Sequence, residues 1–275
     1  MKEDVKVESR KDSFVDKAQT AICQEIVAAN HEYLVSENYF CGYSQTSLLE
    51  KGYGYTDMVY LMTRGELPTA FERQLLDSLS VALCNPGPRH PATRAVMEAA
   101  VSKTAKTHLL PIGLMVLGGN NAAGATSKVM SFLRVNRRKS IDKLIEPLLE
   151  SYECSESDEE IIPGFGPHFK KRESLYSNLS KAIYQKYKTE NFQYLRMILD
   201  IDRCLERSCC GVKPSALVGA VLLDLGFHPR FGPSMYQLLA SPGLVAHAIE
   251  MSNKNITAMP FVGDENYHHV GISDE

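Results

Sequence analysis

The residues best suited to chemistry lie in one run, Ile162-Pro163-Gly164-Phe165-Gly166-Pro167-His168-Phe169-Lys170-Lys171. Two glycines flank an aromatic, a proline stiffens the approach, and a histidine and two lysines follow. In such a loop Gly164, Phe165 and Gly166 bring backbone N–H groups close to a phosphate or carboxylate. Lys170 and Lys171 add positive charge, and His168 is the group able to move a proton.

Arg89, His90 and Arg94 form a second cluster, just after Asn85-Pro86-Gly87-Pro88. Two guanidinium groups beside an imidazole suit a carboxylate, with His90 as acid or base. If Thr93 and Arg94 begin a helix, Arg89 and His90 lie just outside its positive end. A solvated, proline-stiffened loop explains the same residues equally well. Gly118-Gly119-Asn120-Asn121 is a turn ahead of an Ala-rich helix start, where Asn120 and free amides can meet a ligand. A tight helix–helix corner built from small residues is the favoured reading there. His268-His269 matches no usual metal-ligand spacing, so a polar tail is expected and no metal site. His31, His108, His228 and His247 are isolated and read as structural. Nicotinamide and nucleotide-hydrolysis chemistry lose support because Gly-x-Gly-x-x-Gly, Walker and Gly-x-Ser-x-Gly motifs are absent.

The elements that must position these groups read as helical from about residue 13 onward. Leu75, Leu76, Leu79 and Leu83 mark one helix face, and Tyr194, Leu195, Ile198 and Ile201 mark another. Leu217, Val221, Leu222 and Leu225 mark a third, closed by Gly226. Breakers fall at Gly65-Glu66-Leu67-Pro68, Asn85-Pro86-Gly87-Pro88, Gly118-Gly119-Asn120-Asn121 and Pro163-Gly164-Phe165-Gly166. Strand-like alternation is scarce, which predicts a mainly α protein with little sheet. Residues 1–12 read as a disordered tail, and 154–160 as a solvated acidic link.

Composition agrees with an ordinary globular protein. The chain has 275 residues, 44% hydrophobic and 23% charged, with a formal net charge of -3 and a pI near 6.3. That length allows at most two domains, and the charge lowers the prior for nucleic-acid binding. The longest apolar run, 109–117, is too short for a membrane span and carries Pro111 and Gly113. The mixed-charge N-terminus shows no secretory signal. Seven cysteines without Cys-x-x-Cys spacing point to reduced thiols in a cytoplasm-like compartment. Cys209-Cys210 reads as two small packing residues, with a redox pair as the alternative.

Four segments, in order, resemble the citrate synthase superfamily, in its compact branch of stand-alone citryl-CoA lyases and the terminal domain of ATP-citrate lyase. Gly42-Tyr43 with Thr56-Asp57-Met58-Val59-Tyr60-Leu61-Met62-Thr63-Arg64-Gly65-Glu66-Leu67-Pro68 is similar to the family's early segment. Pro163-Gly164-Phe165-Gly166 is similar to its substrate loop. Val212-Lys213-Pro214-Ser215-Ala216-Leu217 and the residues to Phe227 resemble its late core helix. Ser241-Pro242-Gly243-Leu244-Val245-Ala246-His247 resembles its final helix, and Met259-Pro260-Phe261 its tail. The resemblance implies a homodimeric, two-domain helical fold. Its large domain would comprise 13–121 and 215–275, with a small domain at 122–214 and the active site at the cleft between them. It further implies chemistry on an acyl-CoA thioester, with CoA as substrate or ligand and no permanently bound cofactor.

The family's catalytic groups are not retained in register. Leu117 stands before Gly118-Gly119 where the family has a histidine. Pro167 follows Gly-Phe-Gly where another is expected, with His168 one place on. Ser215 takes the place of an aspartate, and Asn85-Pro86-Gly87 that of a histidine-bearing turn. Leucine cannot shuttle a proton, and losing one such group costs orders of magnitude in rate. The expectation is therefore an acyl-CoA carbon–carbon synthase or lyase with a rebuilt site, or an inactive homologue that binds a CoA ester or carboxylate, or that serves as a partner subunit. His90 and His168 are the candidates for proton transfer. Arg89, Arg94, Asn120, Gly164, Phe165, Gly166, Lys170 and Lys171 are the candidates for binding.

Overall fold

The computed structural model describes residues 14–152 and 159–270. The chain divides at Pro68/Thr69 into two compact units. The first begins with an antiparallel sheet of three strands in the order β1 (Cys23–Ala28), β2 (His31–Phe40) and β3 (Tyr43–Ser44). Cys23 pairs with Phe40 and Ile26 with Glu37, and the register slips on either side of Val27. Cys41 and Gly42, with φ of 48° and 87°, make the two-residue turn between β2 and β3, the left-handed geometry that suits strand twist.

This sheet corrects the expectation of helix from residue 13. Its apolar side chains Ile26, Val27, Tyr33, Leu34 and Val35 are all exposed. With neither face buried, nothing selects a period-two alternation, and the sequence carries no strand signature beyond β-branched and aromatic residues. Two helices complete the unit, α1 (Gln45–Glu50) and α2 (Tyr55–Arg64). The Gly54 N–H donates to Asp57 Oδ2 at 2.7 Å to start α2, and Gly65, with φ of 78°, ends it.

The second unit holds α3 (Ala70–Leu83), α4 (Pro91–Val101), α5 (Lys106–Leu117), α6 (Thr126–Asn136), α7 (Ile141–Ser151), α8 (Leu175–Lys186), α9 (Tyr194–Cys204), α10 (Pro214–Asp224) and α11 (Gly232–Ser252). Two short strands, β4 (Phe165–Gly166) and β5 (Gly211–Val212), pair antiparallel. The chain is mainly α, as its periodicity predicts. Leu75, Leu76, Leu79 and Leu83 are all buried on α3, and Leu195, Ile198 and Ile201 on α9.

The core is organised around α10, whose residues from Ser215 to Leu223 are all buried. Helices α3, α6, α8, α9 and α11 all pack on it. That is why its apolar pattern runs all the way round instead of along one face. Asp224 at its end reaches across to α9, accepting the amides of Gln193, Tyr194 and Leu195 at 3.0, 2.9 and 2.8 Å. A separate core joins α4, α5 and α11 through Val96, Ala100, Val101, Leu109, Ala248 and Met251. No helix among the described residues is long and apolar enough to cross a membrane.

Candidate functional site

The glycine loop folds back on itself before it enters β4. The Phe165 N–H donates to Ile162 O at 2.9 Å, and Gly164 takes φ of 84° at the bend. A Cβ on Gly164 would lie 2.9 Å from Ala216 Cβ and 3.0 Å from Val129 Cγ2, so only glycine lets the loop seat on α10 and α6. Phe165 is fully buried, and Gly164, Gly166 and Pro167 are buried too. The loop is thus held tightly against the start of α10, where Ser215 is also buried, instead of standing open as a cradle.

Two charged side chains meet this loop. Glu160 Oε2 accepts the Gly164 N–H at 2.9 Å, and its Oε1 lies 3.5 Å from Lys213 Nζ. Lys213 caps the start of α10 through its backbone, and its own N–H donates to Gly164 O at 2.9 Å.

The next four residues turn outward. His168 and Lys171 exchange backbone hydrogen bonds at 2.7 and 3.1 Å around Phe169 and Lys170, whose φ values are 49° and 62°. His168 packs edge-on against the exposed Phe169 ring at 4.5 Å. His168, Lys170 and Lys171 are themselves exposed.

Arg172, which sequence reasoning missed, turns back in. It donates to the carbonyls of Leu205 and Cys210 and pairs with Asp202, whose side chain is only 2% exposed. Ser177 Oγ donates to the same carboxylate at 2.8 Å. This network ties the end of the loop to α8, α9 and the approach to β5. Only the position of Arg172, directly after two lysines, offered a signal, and charge patterning reads such a run as one solvated cluster.

His90 is the N-cap of α4, with Pro91 as the first helical residue. Its Nδ1 accepts the Ala92 N–H at 3.1 Å, and burial lowers its pKa from the usual 6.5. Both effects favour the neutral ring. Arg89 and Arg94 flank it in solvent. Asn120 is exposed, and its turn packs backbone on backbone. A Cβ on Gly124 would lie 2.8 Å from Gly118 O and 2.9 Å from Gly119 O, as expected for a tight corner. Leu117, just before that turn, is fully buried. The structure therefore groups the sequence-read residues as a buried glycine loop, an exposed tip from His168 to Lys171, the capped start of α4 and the corner at Asn120. Surface cavities of about 330 and 390 Å³ lie elsewhere, lined by Cys204, Arg207 and neighbours and by Leu109, Val245 and neighbours.

The expectation of reduced thiols is corrected at one position: Cys209 is disulfide-bonded. Cys23, Cys41, Cys84, Cys204 and Cys210 are free, so Cys209 and Cys210 do not form a vicinal bridge. Cys154, with most of the acidic link and the tail before residue 13, lies outside the described residues. His268 and His269 are exposed, and no group of three or more His, Cys, Asp or Glu able to hold a metal occurs among the described residues.

No family model matches the sequence, and no curated protein matches it significantly. Solved structures do match. Citryl-CoA lyase from Hydrogenobacter thermophilus aligns with a TM-score of 0.73 at 20% identity, covering 94% of this chain and 96% of that one. ATP citrate lyase from Methanothrix soehngenii, in complex with citrate and coenzyme A, aligns with a TM-score of 0.73 at 12% identity over 97% of this chain but only 43% of its own length. Citrate synthase from Thermotoga maritima aligns with a TM-score of 0.51 at 14% identity. Coverage of 94% of this chain and 96% of the lyase shows that the two share a fold from end to end.

Proposed function

We propose that this protein acts on an acyl-CoA thioester, making or breaking the carbon–carbon bond next to the thioester carbonyl, at a site with altered catalytic groups. The observation that carries this reading is the near-complete alignment, in both chains, with a citryl-CoA lyase. In this reading the large domain comprises 13–121 and 215–275, and the small domain 122–214. In the same reading Arg89, Arg94, Asn120, Lys170 and Lys171 would meet phosphate or carboxylate groups, with Gly164, Phe165 and Gly166 contributing backbone contacts. His90 and His168 are the groups that can move protons. A homodimer in the cytoplasm, with no resident cofactor, belongs to the same proposal.

A second reading is favoured by specific observations. Leu117 and Ser215, which the resemblance puts at proton-transfer positions, are buried, His90 Nδ1 is taken up by a helix cap, and His168 packs edge-on against an exposed phenyl ring. The chain would then bind a CoA ester or carboxylate without turning it over, or serve as a partner subunit. Citryl-CoA cleavage and acetyl-CoA α-proton exchange in deuterated water separate the two. Exchange that disappears in His168→Ala or His90→Ala supports catalysis; binding without exchange supports the second reading.

A further inference from the structure

We infer that Lys213 with the Gly164 N–H forms a carboxylate-binding subsite, which Glu160 of the same chain fills in the absence of ligand. The inference rests on the acyl-CoA reading only for the source of the carboxylate.

Lys170 and Lys171 are exposed at the hairpin tip, and Lys213 lies directly against the buried loop. Gly166 makes room for it: a Cβ there would lie 3.2 Å from Lys213 Cε. One oxygen of Glu160 takes the Gly164 amide at 2.9 Å and the other faces Lys213 Nζ at 3.5 Å. A short charge-assisted contact falls nearer 2.8 Å, so the ammonium is held loosely. The Lys213 and Glu160 side chains remain 24% and 28% exposed, which lets a solute reach them. The first turn of α10 adds to the positive field, because Lys213 supplies no side-chain cap. The carboxylate already seated there shows the chemistry these donors accept. A ligand carboxylate would replace Glu160 at Lys213, and Glu160 would swing toward solvent.

Calorimetric titration with citrate tests this on the full chain. Glu160→Gln keeps an acceptor for the Gly164 amide and removes the competing charge. Its citrate affinity is expected to rise about two- to fivefold over the unsubstituted protein, the worth of a partly exposed ion pair. The Glu160→Gln/Lys213→Met double variant loses that gain, whereas the exposed Lys139→Ala leaves affinity unchanged. Circular dichroism confirms that each variant is folded, and Glu160→Gln alone decides the matter if the double variant is not. Citrate binding that is unchanged, weaker or absent in Glu160→Gln overturns the inference. A gain that survives loss of Lys213 overturns it too. Coenzyme A is titrated separately, so failure of CoA binding contradicts the acyl-CoA reading and leaves this subsite standing.

Discussion

His90, a candidate proton carrier, also serves the fold as a helix cap. An imidazole between two arginines reads as an acid–base group, yet its Nδ1 accepts the Ala92 amide and burial lowers its pKa. The folded state therefore binds fewer protons here than the unfolded chain. Stability from this residue is present above the unfolded value near 6.5 and is lost as pH falls through it toward the lower folded value. Urea midpoints should drop less between pH 8 and pH 5 in His90→Asn, which keeps a capping acceptor that does not titrate, than in the unsubstituted protein. Equal drops would contradict this assignment. Gly164 is the other position where one side chain decides. Adding a methyl group at φ of 84°, against Ala216 Cβ at 2.9 Å, should cost about 1–3 kcal/mol in denaturant melts.

At the scale of elements, cross-helix capping holds the core together. α9 has no side-chain cap of its own, and Asp224 supplies one from the end of α10. Burial raises the Asp224 pKa even though the three amides pull it down, so the carboxylate depends on those donors. Asp224→Ala should destabilise by about 1.5–3 kcal/mol, and hydrogen exchange should quicken at Gln193, Tyr194 and Leu195 above all. Protection that falls evenly across the molecule would argue against a capping role. The apolar faces of α3, α9 and α10 were legible because burial writes a helical period into the sequence. The hairpin of β1 and β2 was not, because neither face is covered. The loop glycines were legible as a motif. Their burial, and the pairing of Glu160 with Lys213 across 53 positions of sequence, were not, since local spacing carries no information about which distant charge arrives. Lys170 and Lys171 were legible as cations next to the glycines, but the two-residue turn that carries them at an exposed tip was not.

At the scale of the whole molecule, helices α5 and α11 leave Met115, Val116 and Ile249 exposed, and Ile249 lines an apolar groove of about 390 Å³. The proposed homodimer would cover this face, as exposed patches of this kind commonly mark interfaces. Sedimentation equilibrium should give a dimer, and Ile249→Asp with Met115→Lys should shift it to monomer; a dimer unchanged by both substitutions would place the interface elsewhere. The fold is shared with a citryl-CoA lyase and a citrate synthase. What the acyl-CoA reading requires is recognition of the thioester carrier. Isothermal titration of the full chain with coenzyme A and acetyl-CoA tests that requirement directly. Saturable binding of at least one of the two, with one site per chain, is the expected result. No heat of binding from either, with the protein shown to be folded by circular dichroism, would contradict the acyl-CoA account.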